Sequence, residues 1–148
     1  MCKHNRFRSK VAEAFFNKLN KNKNYKAYSA GLLPGRYPLD AMQVKIAKEF
    51  GINLKGKPKP VSMDLLIKIN TMVIVADNVP IDVFGNKKYG REEYIWNIPD
   101  SVNNDADETR EIISKIEKRV IEFVGRLKSK KYDYFLDDRQ TRRFDRHE

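Results

Sequence analysis

Cys2-Lys3-His4-Asn5-Arg6-Phe7-Arg8-Ser9 opens the chain one residue after Met1 and runs directly into Lys10-Val11-Ala12-Glu13-Ala14-Phe15-Phe16. A cysteine, five intervening residues, an arginine and a serine ahead of a helix-periodic stretch is the layout of a thiol nucleophile in a phosphate-binding loop. A thiol attacks phosphorus as its thiolate, which backbone N–H groups, a helix N-terminus or a nearby cation stabilise. Five residues between Cys2 and Arg8 suffice to curl the backbone into a ring of converging N–H donors, with the following helix adding its positive end. Lys3, His4, Asn5, Arg6, Phe7, Arg8 and Ser9 are therefore the candidate phosphate-binding residues.

Each side chain in this segment has a physical task. Arg8 carries a planar guanidinium able to grip two phosphoryl oxygens, a geometry lysine cannot reproduce. Asn5 suits a left-handed position in the loop, because asparagine tolerates positive φ better than other non-glycine residues. The Ser9 hydroxyl is placed to hydrogen-bond the Cys2 sulfur.

Working outward, Val11, Ala12, Phe15, Phe16 and Leu19 share one helical face and predict a helix over Ser9 to Asn20. Tyr25 to Ser29 reads as a short strand, and Gly31 to Pro38 as a loop bordering the site. A second helix is expected over Asp40 to Phe50, with Asp40 as its N-cap and Gly51 as its stop. Lys55 to Pro60 forms a basic connector, and a short helix over Ser62 to Ile69 leads into a strand at Thr71 to Ala76. The unbroken apolar character of that strand predicts burial on both faces of a parallel sheet. Tyr94 to Asn97 reads as the last strand. A long helix over Asp107 to Leu127 follows, introduced by a capping box of Asp105 and Glu108.

Alternating strands and helices imply an α/β fold, whose ligands bind beyond the C-terminal strand ends, where Cys2, Asp77 and Asp100 would converge. Composition is compatible with this. The 148 residues suit one domain and 41% are apolar. No run is long and apolar enough for a membrane helix. A formal charge of +10 would concentrate phosphorylated substrates, and is equally expected of a nucleic-acid binder. His4 and His147 are the only histidines and lack companions for a zinc site. A single cysteine fits a reducing, cytoplasmic setting.

Cys2-x-x-Asn5-x-x-Arg8-Ser9 followed by Val11-Ala12-Glu13-Ala14 resembles the signature of the low-molecular-weight protein tyrosine phosphatase family, which includes thioredoxin-coupled arsenate reductases. Ser29-Ala30-Gly31 resembles the family's second-strand ending, Gly51-Ile52-Asn53 its turn after the second helix, and Met72 to Asp77 its third strand. Ile98-Pro99-Asp100 resembles the segment carrying its general acid. The resemblance spans about residues 2 to 127. It implies a three-layer α/β/α fold of the phosphotyrosine phosphatase I type, with Cys2 as nucleophile, Arg8 as phosphate clamp and Asp100 as acid. It also implies no cofactor, and as substrate a phosphorylated protein or small phosphomonoester.

This chain departs from the family pattern at several points. Ser101-Val102-Asn103 follow the acid where relatives carry proline and aromatic residues, and Phe7 stands where many carry a second loop cysteine. With Cys2 alone, an arsenate reductase would need an external thiol. The family's first strand precedes the nucleophile, so a first strand is expected to be missing from residues 1–127. Its loss would forfeit about four or five buried apolar side chains at ~1.5–3 kcal/mol each. An upstream start or a truncated copy is the corresponding expectation. A catalytically silent phosphate-binding module is the alternative if the gap disables the loop. Residues 128–148, densely charged in both signs, are expected to form a solvated or frayed tail.

Overall fold

The computed structural model describes residues 1–80, 82 and 92–144, with side chains through residue 128. Among the described residues, four helices and two strands follow one another as α1 (Arg8–Leu19), α2 (Ala41–Glu49), α3 (Met63–Lys68), β1 (Thr71–Val75), β2 (Glu92–Trp96) and α4 (Ala106–Phe144).

The strands pair in parallel, Thr71 opposite Glu92 through Val75 opposite Trp96. Alternation along β1 then sorts its side chains onto two faces. Val75 joins a core with Val11, Phe15 and Phe16 of α1, Ile46 and Ala47 of α2, and Ile113, Ile116 and Val120 of α4. Met72 and Ile74 face the other way, into a smaller cluster with Cys2, Ala76 and Val79 that Leu66 and Ile69 cover. Both sheet faces are thus clothed, which gives the three-layer α/β/α arrangement expected from the apolar run.

Local stop and start signals work as their chemistry dictates. Asp40 caps α2 by accepting from the Gln43 amide at 3.0 Å, and Ser62 caps α3 by accepting from Leu65 at 3.2 Å. Gly51 ends α2 in the left-handed region at φ 75°. Half of the expected capping box forms: Asp105 accepts from the Glu108 amide at 2.8 Å. The Glu108 carboxylate reaches further back than a capping box requires, accepting from the amides of Val102, Asn103 and Asn104. Those bonds, that from Val102 foremost, hold its carboxyl below the usual range.

Three expectations need correction. β2 begins at Glu92 rather than Tyr94, because pairing with Thr71 sets its start in spite of two glutamates with poor strand propensity. α4 continues beyond Leu127 to Phe144 rather than fraying. No proline follows Pro99 to stop it, and the added segment is rich in helix-compatible Lys and Arg. Residues 145–148, including His147, lie outside the described residues.

The third correction concerns Tyr25 to Ser29. These residues form no strand; the ladder there is reduced to isolated parallel bridges, Cys2 with Gly31 and Gly31 with Pro60. A strand exists by pairing, and among the described residues Tyr25 to Ser29 pair with no neighbouring strand. The Met1 amine donates to the Val73 carbonyl at 2.6 Å, and the Met1 carbonyl accepts from Val75 at 2.7 Å. On the other flank the Cys2 carbonyl accepts from Leu32 at 2.9 Å. Met1 and Cys2 therefore stand between β1 and Gly31 as a two-residue length of central strand.

Burying the Met1 amine lowers its pKa from 8.0 to about 6, desolvation outweighing the opposing pull of Cys2 and Glu13. Between these values the unfolded chain binds more protons than the folded one, so stability rises with pH through that window. Two pKa units correspond to about 3 kcal/mol. Urea unfolding at pH 6 and pH 8 is expected to show greater stability at pH 8 by about 2 kcal/mol, since each pH lies on one of the two pKa values and leaves part of the shift unrealised; a flat profile would show the amine to be solvated.

Candidate active site

The loop between Met1 and α1 is organised by its own polar side chains. Asn5 adopts φ 56°, the left-handed position its residue type anticipates, and is fully buried. Its carbonyl oxygen accepts from the Lys59 amide at 3.1 Å, which orients the side-chain amide so that its nitrogen donates to Ser9 Oγ at 2.8 Å. With an acceptor site of the hydroxyl thus engaged, the Ser9 proton is free to point at Cys2 Sγ, 3.0 Å away. A four-member relay therefore runs from the Lys59 backbone through Asn5 and Ser9 to the thiol of Cys2, a residue only 3% exposed.

Arg8, at the start of α1, is the second organising group. It is 2% exposed. Nη1 donates to the Ile98 carbonyl at 2.8 Å and Nη2 to Asn78 Oδ1 at 3.0 Å, fixing the plane of the guanidinium. Asp77 and Asp100 approach the same group at 3.5 and 3.4 Å, with half-exposed carboxylates. Arg8 thereby joins the N-terminal loop to the segment after β1 and to the segment after β2, across 70 and 90 residues of chain. The Asp100 carboxylate also accepts from the Ser101 amide at 2.9 Å, and Glu108 secures the residues that follow.

The rim is built by Gly31 to Pro38, as the loop composition anticipates. A Cβ on Gly31 would come within 2.7 Å of the His4 carbonyl carbon and 2.8 Å of the Asn5 nitrogen, so glycine is required for the two backbones to touch. Leu33 donates to the Lys3 carbonyl at 2.9 Å. Arg6 reaches outward, donating from Nε and Nη2 to the Pro38 carbonyl while its guanidinium lies over the Tyr37 ring at 5.6 Å. Phe7 is buried and packs into the main core as the residue preceding α1.

The structure thus gathers Cys2, Asn5, Ser9 and Arg8 in one loop and brings Asp100 to Arg8. Two contributors escape sequence reasoning. Asn78 carries no local pattern and matters only because β1 delivers it to Arg8. Lys10 reads as an exposed helical residue but is 5% exposed; burial lowers its pKa, against the pull of Glu13.

Comparison with known proteins places this geometry. No curated protein matches the chain by sequence. Among solved structures, an arsenate reductase from Archaeoglobus fulgidus is 28% identical with a TM-score of 0.65, over 84% of this chain and 95% of that one. The YwlE arginine phosphatase of Geobacillus stearothermophilus, 14% identical, superposes with a TM-score of 0.75 over 89% of this chain and 92% of its own. The tyrosine phosphatase Wzb of Escherichia coli K30, in complex with sulphate, is 16% identical with a TM-score of 0.68, over 85% and 94% respectively. The sequence profile of the low molecular weight phosphotyrosine protein phosphatases matches residues 1–133. The chain belongs to the low molecular weight phosphotyrosine protein phosphatase family.

Proposed function

We propose that this protein is a cysteine-dependent phosphomonoesterase working through a phosphocysteine. Cys2 Sγ attacks phosphorus and displaces the alcohol or phenol, to which Asp100 delivers a proton; water then attacks the phosphocysteine with Asp100 acting as base. Arg8 and the amides of Lys3 to Arg8 hold the equatorial oxygens through both steps. The substrate is a phosphorylated protein or small phosphomonoester, encountered in a reducing cytoplasm where the single thiol stays free.

The observation that carries this reading is the position of Arg8. Its guanidinium is held by hydrogen bonds to the Ile98 carbonyl and Asn78, beside the carboxylate of Asp100, six residues along the chain from Cys2. Nucleophile-bearing loop, clamp and acid are thereby supported by three separate segments of one rigid α/β frame.

An Asp100→Ala variant tests the acid. Turnover of an alkyl phosphate, whose leaving group needs the proton, is expected to fall by about 10²–10⁴-fold. Turnover of p-nitrophenyl phosphate, whose leaving group does not, is expected to fall much less. Equal losses on the two substrates would remove Asp100 from the acid role.

A second reading is favoured by the 28% identical arsenate reductase. Arsenate could occupy the same loop, but with Cys2 as the one cysteine its reduction would draw electrons from an external thiol. Arsenate-dependent consumption of added thiol or thioredoxin, compared with phosphate release from the aryl ester, separates the two.

A further inference from the structure

Asp100 is followed by Ser101-Val102-Asn103-Asn104, of which only Val102 is apolar. Val102 is 86% exposed, and Asn104 takes a left-handed φ of 52°. The Asp100 carboxylate is itself half-exposed. Packing therefore does not fix this turn, and a polar loop without buried contacts ordinarily opens readily.

Polar contacts take the place of packing, and they converge on one group. Glu108 Oε1 accepts from the Val102 amide at 2.6 Å, while Oε2 accepts from the amides of Asn103 and Asn104 at 2.8 and 3.1 Å. The Ser101 hydroxyl donates to Oε2 at 3.2 Å and accepts from the Asn104 amide at 3.1 Å. Every residue between Asp100 and Asp105 is thus bonded to a single carboxylate. Bonds to an ionised acceptor are roughly twice as strong as neutral ones. The partners are all donors, so the site suits a carboxylate, which only accepts, and leaves no place for a side-chain NH2 group.

Glu108 is anchored in its turn. It stands in the first turn of α4, where its amide donates to Asp105 Oδ1 at 2.8 Å. Thr109 beside it is fully buried, and Ile112 and Ile113, one turn on, lie in the main core. Residues 101–104 are consequently tied to the rigid frame through Glu108. On the other side of Asp100, the Ile98 carbonyl accepts from Arg8 Nη1 at 2.8 Å. Asp100 is held between these two ties, with Oδ2 3.4 Å from Arg8 Nη2.

We propose that Glu108 is the positioning residue for the general acid. By fixing residues 101–104 it presents the Ser101 amide, which binds Asp100 Oδ1 at 2.9 Å and leaves Oδ2 beside Arg8. The inference rests on the reading of Asp100 as the acid. Proton delivery needs donor and acceptor within about 2.6–3.2 Å, and a displacement near 1 Å costs about a hundredfold in rate. Glu108 touches no substrate; it acts by setting where Asp100 stands.

The test is the leaving-group dependence of kcat/KM in a Glu108→Gln variant. Glutamine keeps the shape but sets an NH2 group against backbone donors, so part of the network is lost while the Asp105 cap survives. For an alkyl phosphate, kcat/KM is expected to fall about 10–10²-fold. For p-nitrophenyl phosphate, whose leaving group needs no proton, it is expected to fall less than about threefold at an unchanged urea midpoint. Added to Asp100→Ala, Glu108→Gln is expected to cost the alkyl ester nothing further, because both act through the same proton transfer. Amide hydrogen exchange at Val102, Asn103 and Asn104 is expected to quicken about tenfold, as for the loss of one hydrogen bond. Without a selective loss on the alkyl ester the proposal is overturned. Additive losses in the double variant, or unchanged exchange at the three amides, would overturn it as well. Failure of the acid reading is distinct: Asp100→Ala alone would then cost both esters equally, and the positioning role would fall with it.

Discussion

A Cys2→Ser variant is expected to lose aryl phosphate hydrolysis by about 10⁴-fold or more while keeping its fold. The oxygen of serine is nearly isosteric with sulfur and can take the same hydrogen bond from Ser9, so the Asn5–Ser9 relay and the packing around residue 2 survive. What disappears is a thiol, whose anion forms far more readily and attacks far better than that of an alcohol. The side chains that hydrogen-bond residue 2 and its partner, Ser9 and Asn5, are neutral and supply no base for an alcohol, and Asp100 is required to protonate the leaving group. Steady-state kinetics with p-nitrophenyl phosphate, alongside urea midpoints that stay within about 1 kcal/mol of the parent, distinguish chemical loss from unfolding. In the parent, quenching a single turnover should trap the mass of one phosphoryl group on the peptide containing Cys2. Undiminished hydrolysis by the serine variant would exclude the phosphocysteine route.

Replacing Arg8 by lysine is expected to lower kcat/KM by about 10³-fold although the charge is kept. The guanidinium works as a planar fork: one terminal nitrogen is tied to Ile98, the other to Asn78, and the orientation of the remaining donors follows from those two ties. An ammonium on a flexible stem satisfies one of these partners and leaves the other short, with Asp77 and Asp100 less evenly balanced. A stability loss of about 1–2 kcal/mol should accompany the kinetic effect, because a buried hydrogen-bond partner is orphaned. The half-exposed carboxylates, screened by water, contribute little to that figure. Retention of activity in the lysine variant would mean that charge alone holds the phosphate.

Much of this molecule can be read from short stretches of chain. Asn5 is left-handed because its side chain tolerates that conformation, Asp40 caps α2 because a carboxylate three residues back reaches the Gln43 amide, and Gly51 stops the helix because φ 75° is open to it. Cys2, Asn5, Arg8 and Ser9 are likewise bound together by spacing within one loop. In each case the decisive interaction spans only a few residues, so the residue types carry the geometry with them.

Other features depend on partners remote in sequence. Asp105 announces the start of α4, yet Glu108 does not return to the cap and instead binds the three amides behind Asp100, a choice set by how that segment folds back. Tyr25 to Ser29 has the residues of a strand and the extended backbone of one, but pairing needs a neighbour, and beside it lies a cavity. Asn78 is an unremarkable polar residue until β1 carries it to Arg8.

Residue order alone settles the loop chemistry, the helix boundaries near their caps, and the apolar run that must be buried on two faces, since all three follow from conformational preference and hydrophobic pattern along a few consecutive turns. The meeting of Arg8 with Ile98, Asn78 and Asp100, and the contact of the buried Met1 amine with Val73, arise only when segments 70 and 90 residues apart are packed on one frame. Such contacts are selected by shape, ladder geometry and desolvation in three dimensions, which no local pattern encodes.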